Sequence, residues 1–142
     1  MEIDQITGII VDSAMKVHSA LGPGLLESVY ERCLMHELTK RGLKAQSQFW
    51  VPVVYDGIQI EGGYKVDLLV EDAVIVELKV VEHILDIHKA QLLSYLKLSG
   101  KRVGLVINFN VVHLRDGIRR MVNGARLPKS PESSASSSAV FS

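Results

Sequence analysis

Residues Tyr64 to Val81 constrain the fold more than any other stretch of this chain. Two apolar runs, Tyr64 to Val70 and Val74 to Val81, are separated by Glu71-Asp72-Ala73, which predicts two strands joined by a three-residue turn. Inside those runs stand Asp67, Glu77 and Lys79. Charge within apolar strands is costly. A soluble chain that carries it must pair the groups, coordinate a cation or shift their pKa values, and each outcome is commoner at functional sites than elsewhere.

The turn also fixes a register. With Val70 opposite Val74, counting back puts Asp67 directly across from Glu77, their Cβ atoms roughly 4.5 to 5.5 Å apart on one face. Like charges so placed repel, and a divalent cation between them resolves the conflict. Two carboxylates suit a hard, oxygen-seeking ion such as Mg²⁺. Strand alternation puts Glu77 and Lys79 on a shared face while Val76, Leu78 and Val80 point the other way. The ammonium then stands where it can orient or help deprotonate a water attacking phosphorus, and stabilise charge on the phosphoryl oxygens. A structural ion pair of Lys79 with Asp67 or Glu77 is the alternative that the residues alone leave open.

Hydrophobic periodicity organises the rest. Asp4 to Leu21 and Leu25 to Arg41 read as amphipathic helices, interrupted by Gly22-Pro23-Gly24 and closed by Gly42. Leu43 to Tyr55 reads as a strand, Asp56-Gly57 as a hairpin turn, and Ile58 to Gly62 as a short return strand. A third helix fits Asp86 to Leu98, and Val103 to Phe109 has the continuous apolar character of a central strand. A last small hairpin is expected around Asp116-Gly117. The chain has 142 residues, 47% of them hydrophobic, which suits one compact domain over 1–127. Residues 128–142, rich in Ser and Pro, read as a disordered tail.

Charge and cysteine usage narrow the function classes. Lys plus Arg and Asp plus Glu are equal at 16 each, so net charge announces no polyanionic partner. Its distribution is uneven. Lys97, Lys101, Arg102, Arg115, Arg119, Arg120, Arg126 and Lys129 face only Asp116 within one segment, a pattern that fits a phosphate-binding surface and equally a solvated basic flank. Cys33 is the sole cysteine, which excludes an intrachain disulfide, and His18, His83 and His113 lack zinc-ligand spacing with it. The acidic Met1-Glu2-Ile3-Asp4 start is unlike a signal peptide, and no run reaches membrane-spanning length. A cytoplasmic location with no membrane partner is expected.

Asp67, a gap of nine, then Glu77-Leu78-Lys79 between apolar strands resembles the signature of the PD-(D/E)XK nuclease superfamily. Leu21-Gly22-Pro23-Gly24-Leu25-Leu26-Glu27-Ser28-Val29-Tyr30 resembles the motif of the bacterial GxxExxY family within it, with Gly24, Glu27 and Tyr30 at the named positions. Gln91-Leu92-Leu93-Ser94-Tyr95-Leu96-Lys97 and Gly104 to Asn110 are similar to later blocks of that family. The resemblance implies an α/β (α+β) restriction-endonuclease-like core, a mixed central sheet flanked by helices, two of them N-terminal. It implies Asp67 and Glu77 as ligands of Mg²⁺ (or Mn²⁺) with Glu27 joining or approaching them, Lys79 assisting hydrolysis, and Gln91 and Tyr95 positioning substrate or water.

Two functions follow as expectations. One is Mg²⁺-dependent hydrolysis of DNA or RNA, with Lys97, Lys101, Arg102, Arg115, Arg119 and Arg120 holding the phosphate backbone, in a chain that can act as a homodimer. The other is a non-catalytic module that keeps the fold and binds nucleic acid or protein. Residue by residue, plainer roles compete: Glu27 as an exposed helix glutamate, Tyr30 as a packed aromatic with its hydroxyl at the rim, and His88, Gln91 and Tyr95 as one solvated helical stripe.

Overall fold

The structure, a computed structural model, describes residues 1–124. The predicted Ser-rich tail, with Arg126 and Lys129, lies outside the described residues. Helix α1 (Ile3–Leu21) and helix α2 (Glu27–Lys40) precede strand β1 (Ala45–Tyr55), β2 (Ile58–Val70) and β3 (Val74–Lys79). Helix α3 (Asp86–Ser99) leads to β4 (Val103–Asn108), and a 3-10 turn (Leu114–Gly117) leads to β5 (Ile118–Val122). The strands form one mixed sheet in the order β1-β2-β3-β4-β5. Among the described residues only β3 and β4 run parallel, as a crossover through α3 requires; the other neighbours are antiparallel. This is the α+β, restriction-endonuclease-like arrangement expected. Among the described residues no helix is long and apolar enough to cross a membrane.

Two apolar layers hold the sheet. Ile6, Ile10, Ala14 and Val17 recur along α1 at helical spacing and pack with Leu34 and Leu38 of α2 against Leu68, Val70, Val74, Val76 and Leu78. On the opposite face Leu92, Leu93 and Leu96 of α3 meet Ile75, Leu69 and Val106. Every residue of β4 is buried, as a strand covered on both faces should be.

Three expectations change. The separate strands predicted over Ile58 to Gly62 and Tyr64 to Val70 are one strand, β2, because Gly62 and Gly63 carry the chain through a bulge opposite Pro52, where the β1 ladder lacks a donor. At Gly63 φ is 94° and an added Cβ would meet the Val51 carbonyl oxygen at 2.5 Å, so only glycine fits. The hairpin expected at Asp116-Gly117 is a 3-10 turn leading into β5, which pairs along β4 from Val103↔Val122 to Ile107↔Ile118. Strand β3 stops at Lys79, short of Val81. There the buried Asn108 side chain accepts the Val81 N–H at 3.1 Å and donates to the Val81 carbonyl at 2.8 Å, drawing the chain out of the ladder.

Candidate active site

The β2–β3 turn has the predicted length, with Glu71 and Asp72 both at positive φ and Val70 paired to Val74. The ladder continues through Leu69↔Ile75 to Leu68↔Val76, then ends. At the next level Asp67 and Glu77 replace it. The Asp67 N–H donates to Glu77 Oε1 at 2.9 Å, and the Leu78 N–H donates to Asp67 Oδ2 at 2.7 Å. The two carboxylates therefore share a level, as predicted, but each satisfies a main-chain donor of or beside the other.

The interruption extends across β1. Pairing runs Ser47↔Leu68 and then Phe49↔Val66, leaving Gln48 and Asp67 without a ladder pair between them. Gln48 has φ 54°, the left-handed region, whereas the other non-glycine residues with positive φ, Asp56, Glu71 and Asp72, sit at turns. The cost is about 1–2 kcal/mol. It changes which face is buried. Leu68 and Val70 join the layer of α1 and α2, while Phe49, Val51 and Val66 join that of α3. Asp67 sits at the changeover, within reach of both layers.

From the first layer come Glu27 and Glu31, one turn apart on α2. They line a cleft of about 450 Å³ with Leu26, Ser28, Gln48 and Asp67. Glu31 accepts Gln48 Nε2 at 2.7 Å and Ser47 Oγ at 3.1 Å. Tyr30 sets where α2 begins: its ring is fully buried and stacked on Phe109 with centroids 4.4 Å apart. Its hydroxyl donates to the Gly22 carbonyl at 2.6 Å and accepts the Leu25 N–H at 3.1 Å. The Gly22-Pro23-Gly24 turn is thus bolted to the helix that carries Glu27.

From the second layer α3 presents His88, Gln91 and Tyr95. His88 accepts the Leu85 N–H through Nδ1 at 3.0 Å, and Tyr95 packs on Tyr64 with ring centroids 5.1 Å apart. Gln91 is exposed and Tyr95 half-buried.

Electrostatics tie these groups into one unit. Burial, then the Asp67 charge, pushes Glu77 up to about 8, against the weaker pull of the Asp67 N–H and Lys79. Burial also raises Asp67, opposed by the Leu78 N–H. Glu27 is raised by partial desolvation and by Asp67, with Lys79 acting the other way. Tyr95 is raised by burial and by the Glu77 charge, and His88 is lowered by burial and by Lys79. The Asp67 charge thus reaches Glu77, Glu27 and Tyr95, and the Lys79 charge reaches Asp67, Glu77, Glu27 and His88.

Among the described residues no three His, Cys, Asp or Glu side chains form a ready-made metal cage. The donors nonetheless fit a hard cation: Asp67 and Glu77 each commit one oxygen to a backbone N–H and keep another, and all the oxygens are carboxylate.

The basic segment does not gather here. Lys101 and Arg102 precede Val103, which pairs with Val74 at the opposite end of β3 from Lys79, roughly 16 Å away at strand rise. Lys101 pairs with Asp72 at 3.0 Å and Arg120 with Asp4 at 2.8 Å. Lys97 is exposed on α3. Arg115 stands exposed on the 3-10 turn, beyond the end of β4 that pairs with Lys79. Arg119 donates to the Asp116 and Ile118 carbonyls and lines a second cleft with His83, Asn110 and His113.

Sequence reasoning missed Glu31, Gln48, Tyr64 and Asn108. For Glu31 a signal existed, its one-turn spacing from Glu27; for Gln48 none did, because nothing in its side chain announces a left-handed backbone.

A strand pair whose ladder yields to an aspartate and a glutamate, with a lysine two residues on, agrees with the outcome of comparison with known proteins. No curated protein and no solved structure matches the chain. A family model described as the PD-(D/E)XK nuclease superfamily matches residues 4–121, the span that builds both layers and every site residue above, and the chain belongs to that superfamily.

Proposed function

We propose that the chain hydrolyses phosphodiester bonds of DNA or RNA with Mg²⁺ or Mn²⁺, and that it falls in the GxxExxY group on the strength of Gly24, Glu27 and Tyr30. The observation that carries the reading is the pair Asp67 and Glu77, held at one level by the Asp67 and Leu78 N–H groups: burial raises both carboxyls, the Asp67 charge raises Glu77 further and Glu31 acts likewise on Asp67, and a divalent cation would neutralise the charge. Superfamily membership supports it, since PD-(D/E)XK nucleases generally use divalent metals.

Asp67 and Glu77 hold the ion in this reading, with Glu27 completing or approaching the set. The bound cation supplies Lewis-acid stabilisation of charge on the phosphoryl group. Lys79 places its ammonium on the β3 face that carries Glu77, where it orients the attacking water and stabilises charge developing on the phosphoryl oxygens. Gln91 and Tyr95 wall the site from α3 and position the substrate. Arg115 and Arg119 stand at the same end of the sheet as Lys79 and serve backbone phosphates better than Lys101, Arg102 or Arg120.

Cleavage of single- and double-stranded substrates with Mg²⁺ or Mn²⁺ tests this. Asp67→Ala and Lys79→Ala should each lower the rate at least about a hundredfold, and equal rates in wild type and variants would sink the reading.

One observation favours a second reading, a binding module that keeps the fold without catalysis. Both carboxylates already accept main-chain donors, so the strands close without an ion. That reading predicts no divalent-ion binding by calorimetry at millimolar concentration.

A further inference from the structure

Beside the carboxylates lies a surface that the hydrolytic reading does not use. Tyr64 is 49% exposed although its ring rests on Tyr95, and it stands three residues before Asp67 on β2, roughly 10 Å away at strand rise. Tyr64 therefore stands at the rim of the site with part of its ring open. It comes from the outer half of the β1–β2 hairpin, which the left-handed turn at Gln48 brings onto α3. The fold accepts a strained residue, and one result is an aromatic ring beside the reacting centre.

The charges around that ring are unsuited to a duplex. The cleft beside Asp67 carries Glu27 and Glu31. Lys101 and Arg120 are paired to carboxylates, and Lys101 and Arg102 lie at the far end of the sheet. From Phe49 to Lys65 the hairpin has a single cation, Lys65, whose ammonium is taken up over the Trp50 ring at 5.0 Å, and it carries Asp56 and Glu61. A double helix offers this region a dense row of phosphates and hides its base faces. An unpaired strand offers base faces, and stacking on an aromatic side chain is favourable for any base.

Resting on the nuclease reading of the same site, we infer that its substrate is single-stranded nucleic acid, or the unpaired part of a longer one, with a base stacked on Tyr64. Phosphate enters between Asp67, Glu77 and Lys79 while the neighbouring base lies on the open part of the Tyr64 ring, so that α3 and the hairpin hold the strand from one side. Much of the affinity is then stacking, and it falls less steeply with salt than duplex binding through many cations.

Binding can be measured apart from cleavage, by fluorescence anisotropy of a labelled oligothymidylate, alone and annealed to oligoadenylate, in EDTA and again with Ca²⁺. The single strand should bind more tightly than the duplex in at least one condition. Tyr64→Leu, which keeps an apolar side chain on Tyr95, should weaken single-strand binding roughly ten- to a hundredfold, while Tyr64→Phe should stay near wild type. Circular dichroism of each variant checks that the fold persists. Equal affinity for the two substrates, no binding of either, or a Tyr64→Leu variant that binds like wild type overturns the inference. Stacking-dependent binding without metal-dependent cleavage would instead keep the single-strand surface and refute the nuclease reading.

Discussion

Glu77 accepts the main-chain N–H of Asp67 at 2.9 Å, and Asp67 accepts that of Leu78 at 2.7 Å. Each carboxylate occupies the place that a carbonyl would hold in an unbroken ladder. Two groups that repel each other are thereby kept at one level, each with a donor that favours its charged form.

That arrangement sets a pH dependence. Burial keeps Glu77 protonated up to about pH 8 in the folded chain, against an ordinary value of 4.5. Below 4.5 both folded and unfolded forms hold the proton and the contribution to stability is fully present. Between 4.5 and about 8 only the unfolded chain releases it, so stability falls as pH rises through this window and levels off above it. Asp67 is shifted in the same direction by burial, so its own contribution has the same sign and begins above its ordinary value of 3.8. The urea midpoint of the protein in EDTA should fall from pH 5 to pH 8, and Glu77→Gln should flatten the decline; a midpoint that climbs over this range contradicts the assignment.

A cation must displace the Glu77 proton at neutral pH. Mg²⁺ or Mn²⁺ affinity should therefore rise about tenfold per pH unit and level off near pH 8. Calorimetry in buffers of different ionisation enthalpy should register about one proton released per ion bound at pH 7. Affinity that is flat from pH 6 to pH 8 would place the ion elsewhere.

Tyr30→Phe keeps the ring on Phe109 and removes only the hydroxyl that joins Gly22 to Leu25. The loss should be about 1–2 kcal/mol in a denaturant titration, with a larger proportional fall in kcat than in stability, because Glu27 begins α2 directly after that turn. If kcat holds while stability drops, Tyr30 acts on the fold alone.

Gln48→Gly relieves a left-handed backbone worth about 1–2 kcal/mol but deletes the amide that Glu31 accepts. Thermal melting should move little or upward while cleavage falls. A variant that melts higher and cleaves as well as wild type would mean that the strain serves only the sheet.

Lys101→Ala and Arg102→Ala should leave cleavage and its salt dependence close to wild type, in contrast to Arg119→Ala, which stands nearer Lys79. A marked loss from the first pair would require a substrate long enough to span the whole of β3.

The turn at Glu71 to Ala73 and the alternation of β3 were legible in the sequence because both depend on local pattern, and they placed Asp67 level with Glu77. Helices α1 and α2 were legible from apolar spacing. The spread of the basic segment was not legible, because residues close in sequence fall at two ends of the sheet: the α3 crossover returns the chain to the far end of β3 before Lys101, and only the loop beyond Asn108 comes back to the site. The change of faces at Gln48 was illegible for a different reason, since strict alternation is a property of unbroken ladders and this ladder is broken by the side chains of the site itself.

The change of faces divides one hairpin between two layers. Inside it, the strands are fixed by α1, α2 and the turn at Val70; outside it, Asp56-Gly57 closes an arm whose residues are largely exposed. Lengthening or shortening that arm at its tip moves no residue of the inner register. An insertion next to Gln48 would instead turn the inner strand over. The reach of the arm and the chemistry at its root are separate variables in this chain, and the first can be re-engineered while the second is left alone.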